Sequence, residues 1–103
     1  MITRVWRGWT TRGNADAYQT LLLDEVVPGI VGRSVPGFLD ISVGRRDAGA
    51  EVEFITILFF DSLDDIKALT GPDFETAVIP PERRQHLSRF DAKATHYEVR
   101  ASQ

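Results

Sequence analysis

The chain of 103 residues has no cysteine. Disulfides, thiolate nucleophiles and zinc–thiolate sites are therefore excluded. Histidine is scarce too. His86 and His96 are the only imidazoles, and their separation matches no paired metal motif such as HExxH, so no metal site is expected. No apolar run approaches the ~20 residues that span a bilayer. The opening MITRVWRGWT breaks each apolar stretch with a charged or polar group, so neither a membrane contact nor a signal peptide is expected, and a cytoplasmic location fits best. An excess of positive charge is also missing. Twelve Lys+Arg against 15 Asp+Glu leave a formal charge of -3, which argues against a nucleic-acid partner. GxGxxG, P-loop and GxSxG motifs are absent, so nucleotide binding and serine acyl transfer lack support.

What is present is an ordinary globular mixture, 43% hydrophobic and 26% charged. It suits one domain over residues 1–103. Residues 2–10 are β-branched and aromatic and predict a strand. Asn14 is a candidate N-cap for a helix carrying Tyr18, Leu21, Leu22, Val26 and Ile30 at helical spacing. Pro28-Gly29 either ends that helix near Val27 or kinks it. Residues 38–46 and 51–60 predict two strands joined by a hairpin through Asp47-Ala48-Gly49-Ala50. Ser62 and Asp65 form a capping box ahead of a helix with Leu63, Ile66 and Leu69, closed by Gly71. A short helix after Pro80-Pro81 and a last strand over 91–100 complete the chain. This βαββαβ order predicts an α+β, ferredoxin-like fold: a four-stranded antiparallel sheet with helices on one face.

Both parities of the central hairpin are apolar. One register puts Leu39, Ile41, Val43, Ile55, Ile57 and Phe59 under the helices. Phe38, Asp40, Ser42, Val52, Phe54, Thr56, Leu58 and Phe60 then form the second face. A one-residue slip would exchange the two sets. An uncovered apolar face marks an interface or ligand site. Covering ~400 Å² is worth roughly 10 kcal/mol before association costs. A second copy, sheet against sheet, is the expected partner, giving a homodimeric α/β barrel with a pocket inside.

The segments RVWRGWT, GFLDISVGRR, EVEFITILFFDSLDDIKALTG, PDFETAV and HYEV together resemble the antibiotic biosynthesis monooxygenase-like group of the dimeric α/β-barrel superfamily. That resemblance implies a homodimer and oxygenation of an aromatic polyketide or quinone, with no metal or flavin cofactor. Other relatives degrade haem, and fold alone does not settle chemistry. Where the haem-degrading branch has an Asn on the first strand, a Trp ending the third and a His on the next helix, this chain offers Trp6, Phe60 and Val78. His86 would have to replace the missing iron ligand, so haem degradation is disfavoured. RNA-recognition domains share the topology, but Glu51 and Glu53 would repel phosphate where a base is required.

The candidate catalytic groups are His96, His86, Trp6 and Arg4. His96, assigned to the second sheet face, could act as general base on a phenol, or be a surface or interface histidine. His86 lies among Arg83, Arg84 and Arg89, which would keep it neutral; a solvated helix face is its other reading. Trp6, ranked above Trp9, could stack on a flat substrate while its N–H holds an oxygen. Of Arg4 and Arg7, whichever points inward requires a carboxylate such as Asp40 or an anionic substrate; a surface location is the default reading of both. Phe54, Thr56, Phe60 and Phe74 are the expected pocket walls, or else interface packing. A non-catalytic dimeric ligand-binding module is the alternative function.

Overall fold

The computed structural model describes residues 1–102. Ile2–Thr11, dense in β-branched and aromatic residues, forms the central strand β1. Thr11, rather than Asn14, caps the turn that follows: its Oγ1 accepts from the Asn14 amide at 3.2 Å. Helix α1, Ala15–Leu21, runs through a π turn at Leu22–Val26 into α2, Val27–Gly32. The kinked alternative is thus the one adopted. The wider turn accommodates Pro28, which has no N–H to donate and would crowd the carbonyl four residues back.

β2, Phe38–Ala48, and β3, Glu51–Phe60, are joined at Gly49-Ala50. Gly49 takes φ +75°, the left-handed conformation that such a short turn requires. Ser62 Oγ caps α3, Leu63–Thr70, by accepting from the Asp65 amide. The short α4 covers Pro81–Arg84. The last strand is broken into β4, Arg89–Phe90, and β5, Thr95–Glu98, instead of running unbroken over 91–100. Four residues, 91–94, stand opposite only Trp6 and Arg7 of β1. The surplus bulges outward and pairs with the loop before α4, through Ala77 N–H to the Ala92 carbonyl and Ala94 N–H to the Glu75 carbonyl.

The sheet order is β2-β3-β1-β4, with β5 continuing along the same side of β1, and every pairing is antiparallel. This is the ferredoxin-like arrangement that the element order predicts. On β2 the expected Ile41 and Val43 do lie under the helices, opposite Leu58 and Thr56, joined by Phe38 across a bulge, but the parity of β3 is the reverse of the expected register. Val52, Phe54, Thr56, Leu58 and Phe60 are the buried, helix-covered set. Tyr18, Leu22 and Ala15 pack on Val52 and Phe54, with Tyr18 edge-on to Phe54 at 5.0 Å. Ile66 packs on Leu58 and Phe60.

Ile55, Ile57 and Phe59 instead lie on the open face, beside Val5 of β1. Glu51, Glu53 and Arg7 share that parity, and Trp9 is shielded there by its own chain. The Arg89 guanidinium lies 3.9 Å from the Trp9 ring centroid and that of Arg7 5.2 Å. Exposed Tyr97 extends the apolar surface on β5. Among the described residues no helix is long and apolar enough to cross a membrane.

Candidate active site

The strand pairings place Ile2, Arg4, Trp6 and Gly8 on the helix side of β1, opposite Phe60, Leu58, Thr56 and Phe54. The Trp6 ring is fixed from its edge. Its Nε1–H donates to the Asp91 carbonyl at 2.8 Å, inside the bulge, and it packs on Ile79 and Ala94. That N–H is consequently engaged and is not free to hold a substrate oxygen, contrary to the expectation from sequence. Gly8 leaves room for this placement, since a Cβ there would sit 3.1 Å from the Trp6 ring.

Around Trp6 a cleft of about 110 Å³ opens between sheet and helices. Arg4, Thr56 and Leu58 form its floor, Val26 and Ile30 one wall, and Ala77–Ile79 with Arg83 the other. The π turn and α2 supply the first wall, so the helix irregularity at Pro28 shapes the cleft.

Apart from the Thr56 hydroxyl, the polar side chains of the cleft are two cations. Arg83 lies 5.6 Å from the Trp6 ring centroid, and its Nε is buried with no hydrogen-bond partner among the described residues. Arg4 donates through Nη1 to the Phe74 carbonyl and, at 3.0 Å, to His96 Nε2. Neither arginine is in an ion pair among the described residues. Burial pulls the Arg4 guanidinium below its ordinary pKa, although an arginine stays charged at any working pH. Burial, and then the charge of Arg4, hold His96 below the usual histidine value, with Glu75 opposing. A neutral His96 can accept the Arg4 proton at Nε2 while Nδ1 carries its own.

Arg4, Trp6 and Thr56 are therefore gathered in one cleft. The remaining candidates are placed elsewhere. His96 is on the helix side of β5, opposite Arg4, not on the second sheet face. It stands behind Arg4 in a shallow groove with Phe74, Glu75, Lys93 and Thr95, its ring edge-on to Phe74 at 5.1 Å. Phe74 thus backs His96 and Arg4, and does not wall the cleft.

Phe54 and Phe60 are fully buried core residues under the helices, not walls of a chamber on the other face. Asp40 is exposed on β2, where its carboxylate accepts from the Ile41 amide at 2.8 Å, and it does not pair with Arg4. His86 lies in a separate groove with Ala17, Thr20, Leu21, Asp24 and Glu25. Val78, the position aligned with the haem-binding histidine, is 84% exposed at the cleft rim.

Sequence reasoning missed Arg83, Val26 and Ile30 as lining residues. The signal for Arg83 was its position in the first turn after Pro80-Pro81, which aims that helix at the sheet.

The cleft offers no His, Cys, Asp or Glu side chain. Among the described residues no group of three such side chains could hold a metal ion. Haem iron would find no axial ligand in the lining, so the residues present do not fit that group.

No family model matches the sequence, and no curated protein matches it. Solved structures do. One is a proposed antibiotic biosynthesis monooxygenase from Bacillus cereus, 15% identical, with a TM-score of 0.70 over 100% of this chain and 94% of that one. A second is SnoaB, a cofactor-independent oxygenase from Streptomyces nogalater, 18% identical, TM-score 0.65, over 98% and 94% of the two chains. The chain has the fold of these oxygenases. The haem degrader MhuD from Mycobacterium tuberculosis shares it, at 17% identity and a TM-score of 0.58 over 99% and 98%. The likeness to antibiotic biosynthesis monooxygenases read from the sequence and the structural likeness therefore point the same way. At these identities they carry the fold, and the chemistry must be argued from the cleft.

Proposed function

We propose that this chain is a cofactor-independent monooxygenase acting on an aromatic, polyketide- or quinone-type small molecule in the cleft around Trp6. One observation carries the reading: a half-enclosed apolar cleft beside an indole holds two guanidiniums that no carboxylate neutralises. SnoaB, which has this fold, is a cofactor-independent oxygenase. A haem-degrading role is opposed by the missing axial ligand.

The chemistry needs an electron-rich anion and dioxygen. An anthrone-like substrate loses a proton from its ring-flanked CH2. The carbanion gives two electrons to O2, the carbon forms a C–O bond, and reprotonation yields a hydroperoxide. Loss of water from that hydroperoxide leaves a carbonyl. One oxygen atom ends in the product and the other in water, so no outside reductant is consumed. The protein supplies positioning against Trp6, exclusion of water by Val26, Ile30 and Ile79, and positive charge where negative charge develops. At about 110 Å³ the cleft admits one ring, well under the ~300 Å³ of a drug-sized pocket. A fused polycycle then projects past exposed Val78, or the 77–79 loop moves.

The open face supports a homodimer. Val5, Ile55, Ile57, Phe59 and Tyr97 form an apolar surface with no helix above it, and a second sheet fits it. The cleft then lies outside the sheet–sheet interior, one in each protomer. A binding protein without turnover is the second reading, favoured by the small volume.

The test is oxygen consumption by homogeneous, metal-stripped protein with an anthrone. Stoichiometric formation of the corresponding quinone, lost in Arg4→Gln and Trp6→Ala, is expected. No uptake above the buffer rate across a panel of anthrones and hydroquinones would leave only the binding reading.

A further inference from the structure

We infer that Arg4 and Arg83 form an oxyanion site that takes an acidic aromatic ligand in its ionised form, and that His96 positions Arg4 for this role. The inference deepens the proposed function and rests on the same cleft, but it concerns binding and can be tested without turnover.

A guanidinium removed from water needs hydrogen-bond acceptors, and preferably an anion. Arg83 has a buried Nε without either. Arg4 has its Nη1 protons committed to two neutral acceptors, the Phe74 carbonyl and His96 Nε2. Its Nη2 and Nε make no hydrogen bond among the described residues, and the residue lines the cleft. Two like charges therefore border one apolar space with donors to spare and no counter-charge. Of the eight other arginines, Arg33 and Arg84 also lack a carboxylate among the described residues but are exposed to water, and the remaining six are paired. Arg7, Arg12, Arg45, Arg46, Arg89 and Arg100 each reach a carboxylate. The contrast assigns the missing acceptor to the ligand.

The geometry also restricts what that ligand is. A carboxylate or phosphate alone would leave the Trp6 face and the Val26–Ile30 wall bare. A phenol fills the apolar volume with its ring and presents one oxygen to the guanidiniums. Charge-assisted hydrogen bonds are about twice as strong as neutral ones, so the phenolate gains more than the phenol. The site thus acidifies its ligand, and no histidine base is needed to generate the anion.

His96 contributes from behind. Its neutral Nε2 draws one Nη1 proton, and with the Phe74 carbonyl this turns the remaining guanidinium edge toward the cleft. Protonated His96 would offer no lone pair and would repel Arg4. The charged groups around it are Arg4 on β1, Glu75 on the preceding loop and Lys93 in the bulge.

The experiment uses 4-nitrophenol, whose phenolate is read by its visible absorbance, and 4-nitroanisole, which cannot ionise. Bound 4-nitrophenol should ionise at lower pH than free, with phenolate binding at least about tenfold tighter than phenol. Arg83→Gln and Arg4→Gln should each cut phenolate affinity about tenfold while changing 4-nitroanisole affinity less than twofold. His96→Phe, which keeps the packing on Phe74 but has no acceptor, should weaken phenolate binding several-fold. His96→Gln, which restores an acceptor, should recover most of the loss. Equal affinity for phenol and phenolate, or arginine variants that bind both probes like the parent, would overturn the inference. The Arg83 variant, at a partly solvent-facing position on a four-residue helix, keeps the test available if Arg4→Gln does not fold. An anion preference without oxygen uptake would sink the monooxygenase and leave this site standing; uptake without anion preference would do the reverse.

Discussion

Arg4 and His96 face each other across β1 and β5, and Arg4 Nη1 donates to His96 Nε2 at 3.0 Å. An imidazole in that position works only when neutral. The sheet thus couples a residue of the cleft floor to an imidazole whose pKa burial and then the charge of Arg4 lower.

The first prediction concerns pH. Unfolded His96 has a pKa of about 6.5. In the folded chain burial, and then Arg4, lower it. The unfolded state then binds more protons below that value, so stability rises with pH there. The contribution is complete above about pH 6.5 and drains away as pH falls through the lower folded value. Urea melts between pH 7.5 and 5 should show the loss, and His96→Gln should flatten that part of the curve. An unchanged slope in the variant would remove His96 as its source.

A second prediction tests the inner core. Tyr18 is fully buried and its hydroxyl has no partner among the described residues. Tyr18→Phe should therefore change stability by no more than about 0.5 kcal/mol, or raise it. Tyr18→Ala should cost about 3–5 kcal/mol by leaving a cavity beside Phe54 and Leu22. Denaturant midpoints of the two variants check this, and a large loss in Tyr18→Phe would reveal an unseen hydrogen bond.

The turn into β2 gives a third. Gly37 has φ +83°, and a Cβ there would collide with the Asp65 carboxylate that closes the α3 cap. Gly37→Ala should lose about 1–3 kcal/mol from backbone strain and cap displacement together. Ser62→Ala, which removes the cap alone, should lose about 1 kcal/mol. Comparing the two melting curves separates the contributions.

The open face supplies a fourth. The protein should sediment as a dimer at micromolar concentration, and Ile57→Glu should sediment as a folded monomer with unchanged far-ultraviolet circular dichroism. A parent protein that is already monomeric would remove the sheet-to-sheet assembly.

The element order was legible because each boundary has a local cause: Pro28, Gly49, Ser62, Gly71 and Pro80-Pro81 all punctuate where they stand. The sheet parity was not, because EVEFITILFF is apolar at both periods. Charge could have decided it. Glu51 and Glu53 share parity with Ile55, so the side of β3 that carries its charges is the one left without helices. Choosing by aliphatic content alone reversed the faces of β3, and putting Tyr97 and Val99 under the helices misplaced His96. Arg4 was readable as an inward cation needing an anion, whereas its link to His96 depends on the β1–β5 register across a sequence separation of 92. Nothing local encodes that contact.

The bulge between β4 and β5 has a consequence beyond anchoring Trp6. A sheet margin is a row of free amides and carbonyls on which a stray strand can zip. Here that row is cut after two residues, and its middle is already occupied by the strip around Thr76. On the opposite margin, Arg45, Arg46 and Asp47 crowd the end of β2 with charge. The same kink that holds the indole therefore also spares the molecule from fibrous self-association along its sides.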